Sequence, residues 1–139
     1  MFGSHRNSQP IVTSEDYINS LRGRKLRVFL FGERVHDIVE HPMIRPSINA
    51  VAETYDLAVR EPELASAASH ITGDVVNRFL HITMNRDDVV LQNKMQRRLG
   101  QLTGTCFQRC VGMDALNSLF STTFEIDEAA LAAAAERAV

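Results

Sequence analysis

Cys106 and Cys110 are the residues of this chain whose type and spacing most directly suggest chemistry, and they are its only two cysteines. They belong to a series of apolar and sulfur-bearing residues spaced three or four apart, as on one face of a helix. The series runs Met95, Leu99, Leu102, Cys106, Cys110, Met113 and Leu116. Two thiols one helical turn apart can hold part of a metal or iron–sulfur centre. The same pattern also fits two small core residues, because buried free cysteine is common.

The helical region that positions the two thiols is expected to be broken into two helices. Gly100 and Gly104 each cost a helix about 1 kcal/mol relative to alanine, so the sequence predicts a break between Leu102 and Thr105. Cys106 would then lie near the amino end of the second helix. Unpaired backbone amides and the positive helix dipole at that end would stabilise a thiolate. Two cysteines on neighbouring turns are poorly placed to form a disulfide, so reduced thiols are expected.

Upstream of this region, caps, prolines and strand-forming residues predict short helices and one β-hairpin. A helix is expected to begin at 13–16 and to end at Gly23. The hairpin is expected over 26–35, and Pro46 or Ser47 should open the next helix. The buried stripe of that helix is predicted to comprise Ile48, Val51, Ala52, Tyr55 and Val59. The remaining expected features are helical segments over 63–69 and 75–82, with His70 and His81 in helices, and a helix cap at Asn85.

These elements predict a mostly α domain with one small β-hairpin over residues 13–127. Residues 1–12 are expected to be a disordered or tag-like segment, and residues 128–139 an alanine-rich helical tail. The composition, 45% hydrophobic and 23% charged, is that of a soluble globular protein. A net charge of −2 without a basic cluster argues against a nucleic-acid partner. No apolar run approaches the roughly 20 residues of a membrane span and no secretory signal is evident, so a cytoplasmic location is expected.

Four blocks of the sequence, 27–33, 41–49, 94–97 and 106–115, carry a resemblance to a known family. They resemble the amino-terminal domain of the 4-hydroxybutyryl-CoA dehydratases, which belong with the 4-hydroxyphenylacetate 3-hydroxylase flavoproteins. The most specific block is Cys106-Phe107-Gln108-Arg109-Cys110, since related hydroxylases share the hairpin but lack the paired cysteines. The resemblance covers about residues 13–127 and implies an acyl-CoA dehydrogenase-like amino-terminal helical domain.

For function, the resemblance implies a lyase that removes water from 4-hydroxybutyryl-CoA to give crotonyl-CoA, accompanied by a vinylacetyl-CoA isomerase activity. It implies a 4Fe–4S cluster held by Cys106 and Cys110 together with a histidine and a third cysteine from a later part of the chain. FAD is expected close by, the substrate is an acyl-CoA, and a homo-oligomer is expected because the family enzymes are oligomers. Gln108 matches a catalytic position, and Arg97 matches a cofactor-binding position.

Other parts that the resemblance implies are missing from this sequence. The middle and carboxy-terminal domains have no counterpart here, and a 4Fe–4S cluster needs four ligands. The chain is therefore expected to be the amino-terminal part of the enzyme, inactive without the missing domains or a complementing chain, and to hold neither cofactor completely. Two alternatives stay open: a non-catalytic helical interaction domain, and a fragment of a related flavin-dependent aromatic hydroxylase.

Each candidate site residue also has a plain structural alternative. Gln108 would be a solvent-facing helix residue, pointing away from the cysteine face by about 200°. Arg97 would belong to a solvated helix edge. Met95 and Met113 are expected to be core residues. The face that bears Cys106 and Cys110 is expected to be apolar and partly exposed.

Overall fold

A computed structural model describes residues 10–137, and the fold in this range is mostly helical, as the sequence predicts. The predicted disordered or tag-like segment lies mainly outside the described residues, as do residues 138–139 at the end of the predicted tail. The elements in chain order are helix α1 (Ser14–Arg22), strands β1 (Val28–Leu30) and β2 (Glu33–Val35), helices α2 (Arg45–Arg60) and α3 (Pro62–Ala65), strands β3 (Ser66–Ala68) and β4 (Val75–Asn77), a 3₁₀ turn (Arg78–Leu80), and helices α4 (Arg86–Thr103) and α5 (Arg109–Arg137).

Helix α1 has both of its predicted ends. The Thr13 hydroxyl accepts a hydrogen bond from the Asp16 backbone N–H at 3.2 Å, and the Asp16 carboxylate accepts one from the Thr13 N–H at 2.9 Å. This reciprocal pair satisfies the free amides of the first turn. Gly23 caps the other end. The Ser14 N–H donates to the Asp56 carboxylate of α2 at 2.9 Å, which fixes α1 against α2.

Strands β1 and β2 form the predicted antiparallel hairpin, with Val28 opposite Val35. Phe31 and Gly32, the two residues between the strands, have φ angles of 52° and 84°. Positive φ at both positions is the pattern of a two-residue hairpin turn whose twist matches that of the paired strands. Gly32 suits its position in this turn, whereas Phe31 adopts a left-handed φ that a bulky residue seldom takes.

The second antiparallel hairpin, β3–β4, is not predicted by the sequence. The predicted helical segments over 63–69 and 75–82 are wrong except for α3 and the 3₁₀ turn. A tertiary contact overrides the helix preference of the alanines in this region. The Arg78 side chain, only 5% exposed, donates hydrogen bonds to a backbone carbonyl oxygen of α3 at 2.7 Å and to one of β3 at 2.5 Å. Gly73, with φ 78°, turns the chain between the strands.

Helix α2 has the predicted proline in its first turn and ends before Pro62, but its predicted buried stripe is only partly right. Val59 is 57% exposed, while Val51 and Tyr55 are half-buried. Because α2 packs against α1, α3 and α4, its buried surface is wider than a single stripe. The residues that it buries are Ile48, Ala50, Ala52, Thr54 and Leu57.

The hydrophobic core lies where α2, α3 and α4 meet the beginning of α5. Met95 and Met113 are 0% and 1% exposed, which confirms them as core residues. Farther along, α5 extends away from this core, and residues 121–130 are all exposed. The alanine-rich stretch continues α5 to Arg137, while the domain boundary at residue 128 stays a prediction. The core cluster comprises Ala50, Leu57, Ala65, Phe79, Met95, Leu99, Phe107 and Met113.

Over residues 10–137, no helix combines the length and the apolar composition that crossing a membrane requires.

Candidate functional site at the start of α5

The predicted break between two helices is confirmed, and it lies directly before the cysteine block. Helix α4 ends at Thr103, and Gly104 follows with φ 62°, donating its N–H to the Gly100 carbonyl oxygen at 3.0 Å. A left-handed glycine is a common way to end a helix. Residues 104–108, here called the connector, then lead to α5. The prediction that both thiols lie on one helix face is therefore wrong, because Cys106 is in the connector and Cys110 is in the first turn of α5.

Side chains along the connector alternate between solvent and core. Cys106 and Gln108 are exposed, whereas Phe107 is 7% exposed and Arg109 is partly buried. Gln108 has a left-handed φ of 61°, and the Arg109 N–H donates to the Phe107 carbonyl oxygen at 2.8 Å. This tight turn replaces the helical geometry expected for Gln108. Cys110 is half-buried and packs against the core cluster, so the two thiols are partly exposed as expected, although they do not share one helix face.

Phe107 and Arg109 attach the connector to the rest of the domain. The Phe107 ring meets the Phe79 ring edge-on, with centroids 5.7 Å apart. The Arg109 guanidinium carbon lies 4.5 Å from the Tyr55 ring centroid and 4.8 Å from that of Phe79. One guanidinium nitrogen, Nη1, donates to the Thr54 hydroxyl at 2.8 Å. The sequence does not indicate a role for Arg109, since nothing in its spacing shows which aromatic rings its side chain would reach.

Aromatic ring faces, rather than a carboxylate, lie against the charged guanidinium of Arg109. None of the ion pairs in the described range includes it. Burial lowers the pKa of the Arg109 guanidinium, yet arginine stays protonated in proteins. The negative faces of two aromatic rings therefore stabilise a cation that is partly removed from water. Arg109 and Tyr55 also line an open cleft of ≈ 860 Å³ between α1, α2 and β4.

Arg97 is exposed on α4, one helix before the cysteine block. Its neighbour Arg98 is occupied, because its guanidinium donates to the Glu61 carboxylate at 2.9 and 3.0 Å. The structure thus places Arg97 on a solvated helix edge. Its assignment to a cofactor stays a prediction.

The two cysteines are free thiols that offer soft, accessible ligands. Over the described range, no group of three or more histidine, cysteine, aspartate or glutamate side chains is close enough to hold a metal ion. A cubane iron–sulfur cluster needs four protein ligands. Cys106 and Cys110 therefore fit half of its ligand set and cannot complete it among these residues.

The histidines of the described region do not add to this pair. His70 lies in the loop between β3 and β4, and His81 follows the 3₁₀ turn, so the prediction that both lie in helices is wrong. His81 is 7% exposed, and its Nε2 lies 3.3 Å from an Asp88 carboxylate oxygen. This histidine is engaged at the start of α4 rather than at the cysteines.

Known proteins similar to this chain include a dehydratase and several oxygenase components. Residues 13–139 match the family described as 4-hydroxyphenylacetate 3-hydroxylase N terminal. The chain is 52% identical over 121 residues to the 4-hydroxybutyryl-CoA dehydratase/vinylacetyl-CoA-Δ-isomerase of Clostridium aminobutyricum, which covers 85% of this chain and 24% of that protein. It is 34% identical over 83 residues to the 4-hydroxyphenylacetate 3-monooxygenase oxygenase component of Klebsiella oxytoca, covering 56% of this chain and 15% of that protein.

A solved structure agrees with the match to the dehydratase. An oxygen-tolerant archaeal 4-hydroxybutyryl-CoA dehydratase from N. maritimus matches with a TM-score of 0.82 and 74% identity, over 86% of this chain and 24% of that chain. This likeness confirms the predicted fold, a mostly α amino-terminal domain. The chain spans about a quarter of the length of both dehydratases.

Proposed function

We propose that this chain, which belongs to the 4-hydroxyphenylacetate 3-hydroxylase N-terminal family, forms the amino-terminal part of a 4-hydroxybutyryl-CoA dehydratase. The observation that supports this most is the 74% identity to a protein of that name over 86% of this chain. Identity to the oxygenase component is 34% over a shorter stretch, which favours the dehydratase over an aromatic hydroxylase. The substrate would be 4-hydroxybutyryl-CoA and the product crotonyl-CoA.

In this proposal, Cys106 and Cys110 supply two thiolate ligands to a 4Fe–4S cluster. Support comes from the exposure of Cys106 and the half-burial of Cys110, which leave both thiols within reach of another domain. The other two ligands, expected to be a histidine and a cysteine, would come from a later part of the enzyme or from a complementing chain. When bound, the cluster and FAD would supply the one-electron chemistry of the flavin-assisted dehydration.

The remaining work of this chain is to bind and orient. Gln108, exposed between the two cysteines, presents an amide that can both donate and accept hydrogen bonds to a bound acyl-CoA. Arg97 would face a phosphate of the cofactor, where a guanidinium can donate two parallel hydrogen bonds. The chain alone would be inactive, because it supplies only part of the ligand set. A cytoplasmic location and a homo-oligomer stay predictions.

A complementation experiment tests the proposal. The chain is produced anaerobically together with the remaining part of the N. maritimus enzyme, and the purified complex is assayed for iron, acid-labile sulfide and crotonyl-CoA formation. We expect about four iron and four sulfide per complex, and loss of both on Cys106→Ser or Cys110→Ser. Thr105→Ser, a change in the same connector that leaves both thiols in place, is the matched control. A complex that keeps its iron after both cysteines are replaced would refute the ligand assignment.

A second candidate, a non-catalytic helical interaction domain, is favoured by the apolar surface of α5. Four of its large apolar side chains are 56–67% exposed, and such surface commonly marks a protein contact. This candidate predicts that replacing the cysteines changes stability slightly and changes no iron content. The same assay therefore separates the two. The four residues are Leu119, Phe124, Ile126 and Leu131.

A further inference from the structure

We infer that Arg109 is a positioning residue, whose guanidinium holds the connector in the shape that presents Cys106 and Cys110 to one bound metal centre. This inference rests on the proposed function of the two thiols and adds a residue that carries no ligand atom. Arg109 lies between the cysteines in sequence, and its side chain reaches into the domain as far as α2.

Two elements of the fold meet on this one guanidinium. Helix α2 provides the Thr54 hydroxyl at 2.8 Å and the Tyr55 ring at 4.5 Å, and the 3₁₀ turn provides the Phe79 ring at 4.8 Å. Thr54 is 1% exposed, and its hydroxyl proton is directed to the Val51 carbonyl oxygen at 2.6 Å. The hydroxyl oxygen is therefore oriented to accept from Arg109, which fixes the guanidinium in direction as well as in place.

The backbone beside Arg109 needs such an anchor. Gln108 has a left-handed φ of 61°, a conformation that residues with a side chain seldom adopt. Strained conformations of this kind persist only where the surroundings hold them. Phe107 and Arg109 are the inward residues on either side of Gln108. Releasing Arg109 would let Gln108 relax, and the relaxed backbone would change the position of Cys106 relative to Cys110.

Arginine is suited to this position in a way that lysine is not. A planar guanidinium stacks on a ring and donates from its edge at the same time, whereas an ammonium is a compact, strongly hydrated charge. Lysine at position 109 would keep the charge but lose either the stacking or the hydrogen bond. The Arg109→Lys variant should therefore fall between the wild type and Arg109→Met.

The test uses Co²⁺ as a probe that reports on both thiols without a cluster. The chain is titrated anaerobically with Co²⁺, and the thiolate-to-cobalt charge-transfer absorption gives the affinity. We expect the wild type to bind about tenfold more tightly than Cys106→Ser, since the second thiol acts at a high effective concentration. Arg109→Met should lose most of this tenfold advantage while keeping both cysteines.

Two further comparisons separate positioning from simple loss of stability. All variants are titrated well below their melting temperatures, with far-UV circular dichroism verifying the helices. Thr54→Val removes the acceptor of Arg109 and should weaken Co²⁺ binding, whereas Thr54→Ser keeps the hydroxyl and should restore it. Arg98→Met, which removes an exposed arginine paired with Glu61, is the matched control and should bind as the wild type does.

The outcomes distinguish this inference from the proposed function. If the wild type binds Co²⁺ no better than Cys106→Ser, the two thiols do not act together, and the ligand pair and the inference both fall. If the wild type shows the two-thiol advantage and Arg109→Met and Thr54→Val keep it, the inference is overturned while the ligand pair stands. Loss of the advantage in both variants, with Thr54→Ser restored, supports the positioning role.

Discussion

The two ends of α5 differ in how firmly this domain holds them. At the amino end, Phe107 and Met113 are buried in the core and Arg109 is attached to α2. Over 121–130, every residue is exposed, and Phe124 is 56% exposed although it is as apolar as Phe107. A single uninterrupted helix joins the two regions.

This difference separates two kinds of surface. A ligand pair must be held in a narrow range of geometry, which requires supporting contacts from rigid elements. An apolar helix face that waits for a partner needs only to be exposed. The candidate ligands lie at the end that has the supporting contacts, and the apolar face lies at the end that lacks them. The contrast therefore supports the proposal that the first region holds a ligand pair, while the second region is exposed apolar surface.

The largest test of this contrast compares two phenylalanine truncations. Phe107→Ala removes a ring that packs on Phe79 in the core, and it should lower the free energy of unfolding by about 3–5 kcal/mol. Phe124→Ala removes an exposed ring and should change it by less than about 0.5 kcal/mol. Urea unfolding followed by circular dichroism measures both. Equal losses would mean that the far end of α5 is also part of the core, and the contrast would fail.

A smaller effect is expected at the glycine that begins the connector. Gly104 has φ 62°, and an added Cβ would meet nothing within 4 Å, so Gly104→Ala should cost only the backbone strain of about 1–2 kcal/mol. Gly100→Ala inside α4 also places its Cβ in open space and should instead stabilise the domain by about 1 kcal/mol. Thermal unfolding of the two variants should shift in opposite directions. A neutral Gly104→Ala would show that the start of the connector is free to relax.

The sequence predicted the features that depend on local chemistry. The capping residues of α1, the proline at the start of α2 and the break at Gly104 all follow from preferences of single residues for particular backbone positions. The core positions of Met95 and Met113 follow from helical spacing on either side of the break. These features need no knowledge of what packs against them.

Features that depend on distant contacts were missed. The second hairpin is supported by the buried side chain of Arg78, and nothing near 66–68 indicates that partner. Helical spacing placed Cys106 on a helix because the pattern happens to continue across a segment that is not helical. Arg109 was missed because its partners, Thr54 and Tyr55, lie more than fifty residues away in sequence.

The smallest expected effect concerns the start of α4, the other helix that flanks the connector. Unfolding at acid pH tests whether the contacts of the Asp88 carboxylate stabilise this end of α4. Burial acts to raise the pKa of Asp88, but hydrogen bonds from the Met84 and Asn85 backbone N–H groups, together with nearby His81, hold it below its ordinary value. A carboxylate whose pKa is lower in the folded state than in the unfolded state adds to the free energy of unfolding at pH values above the unfolded-state pKa of about 3.9. This contribution is lost as the pH falls through the pKa of the folded state. The contribution should be about 1 kcal/mol or less.

Urea unfolding between pH 6 and pH 2.5 measures this contribution. The free energy of unfolding should fall less steeply with decreasing pH for Asp88→Asn than for the wild type. Asp87→Asn, which removes an exposed carboxylate from the same turn, is the control, and equal flattening in both variants would mean that Asp88 has no special attachment.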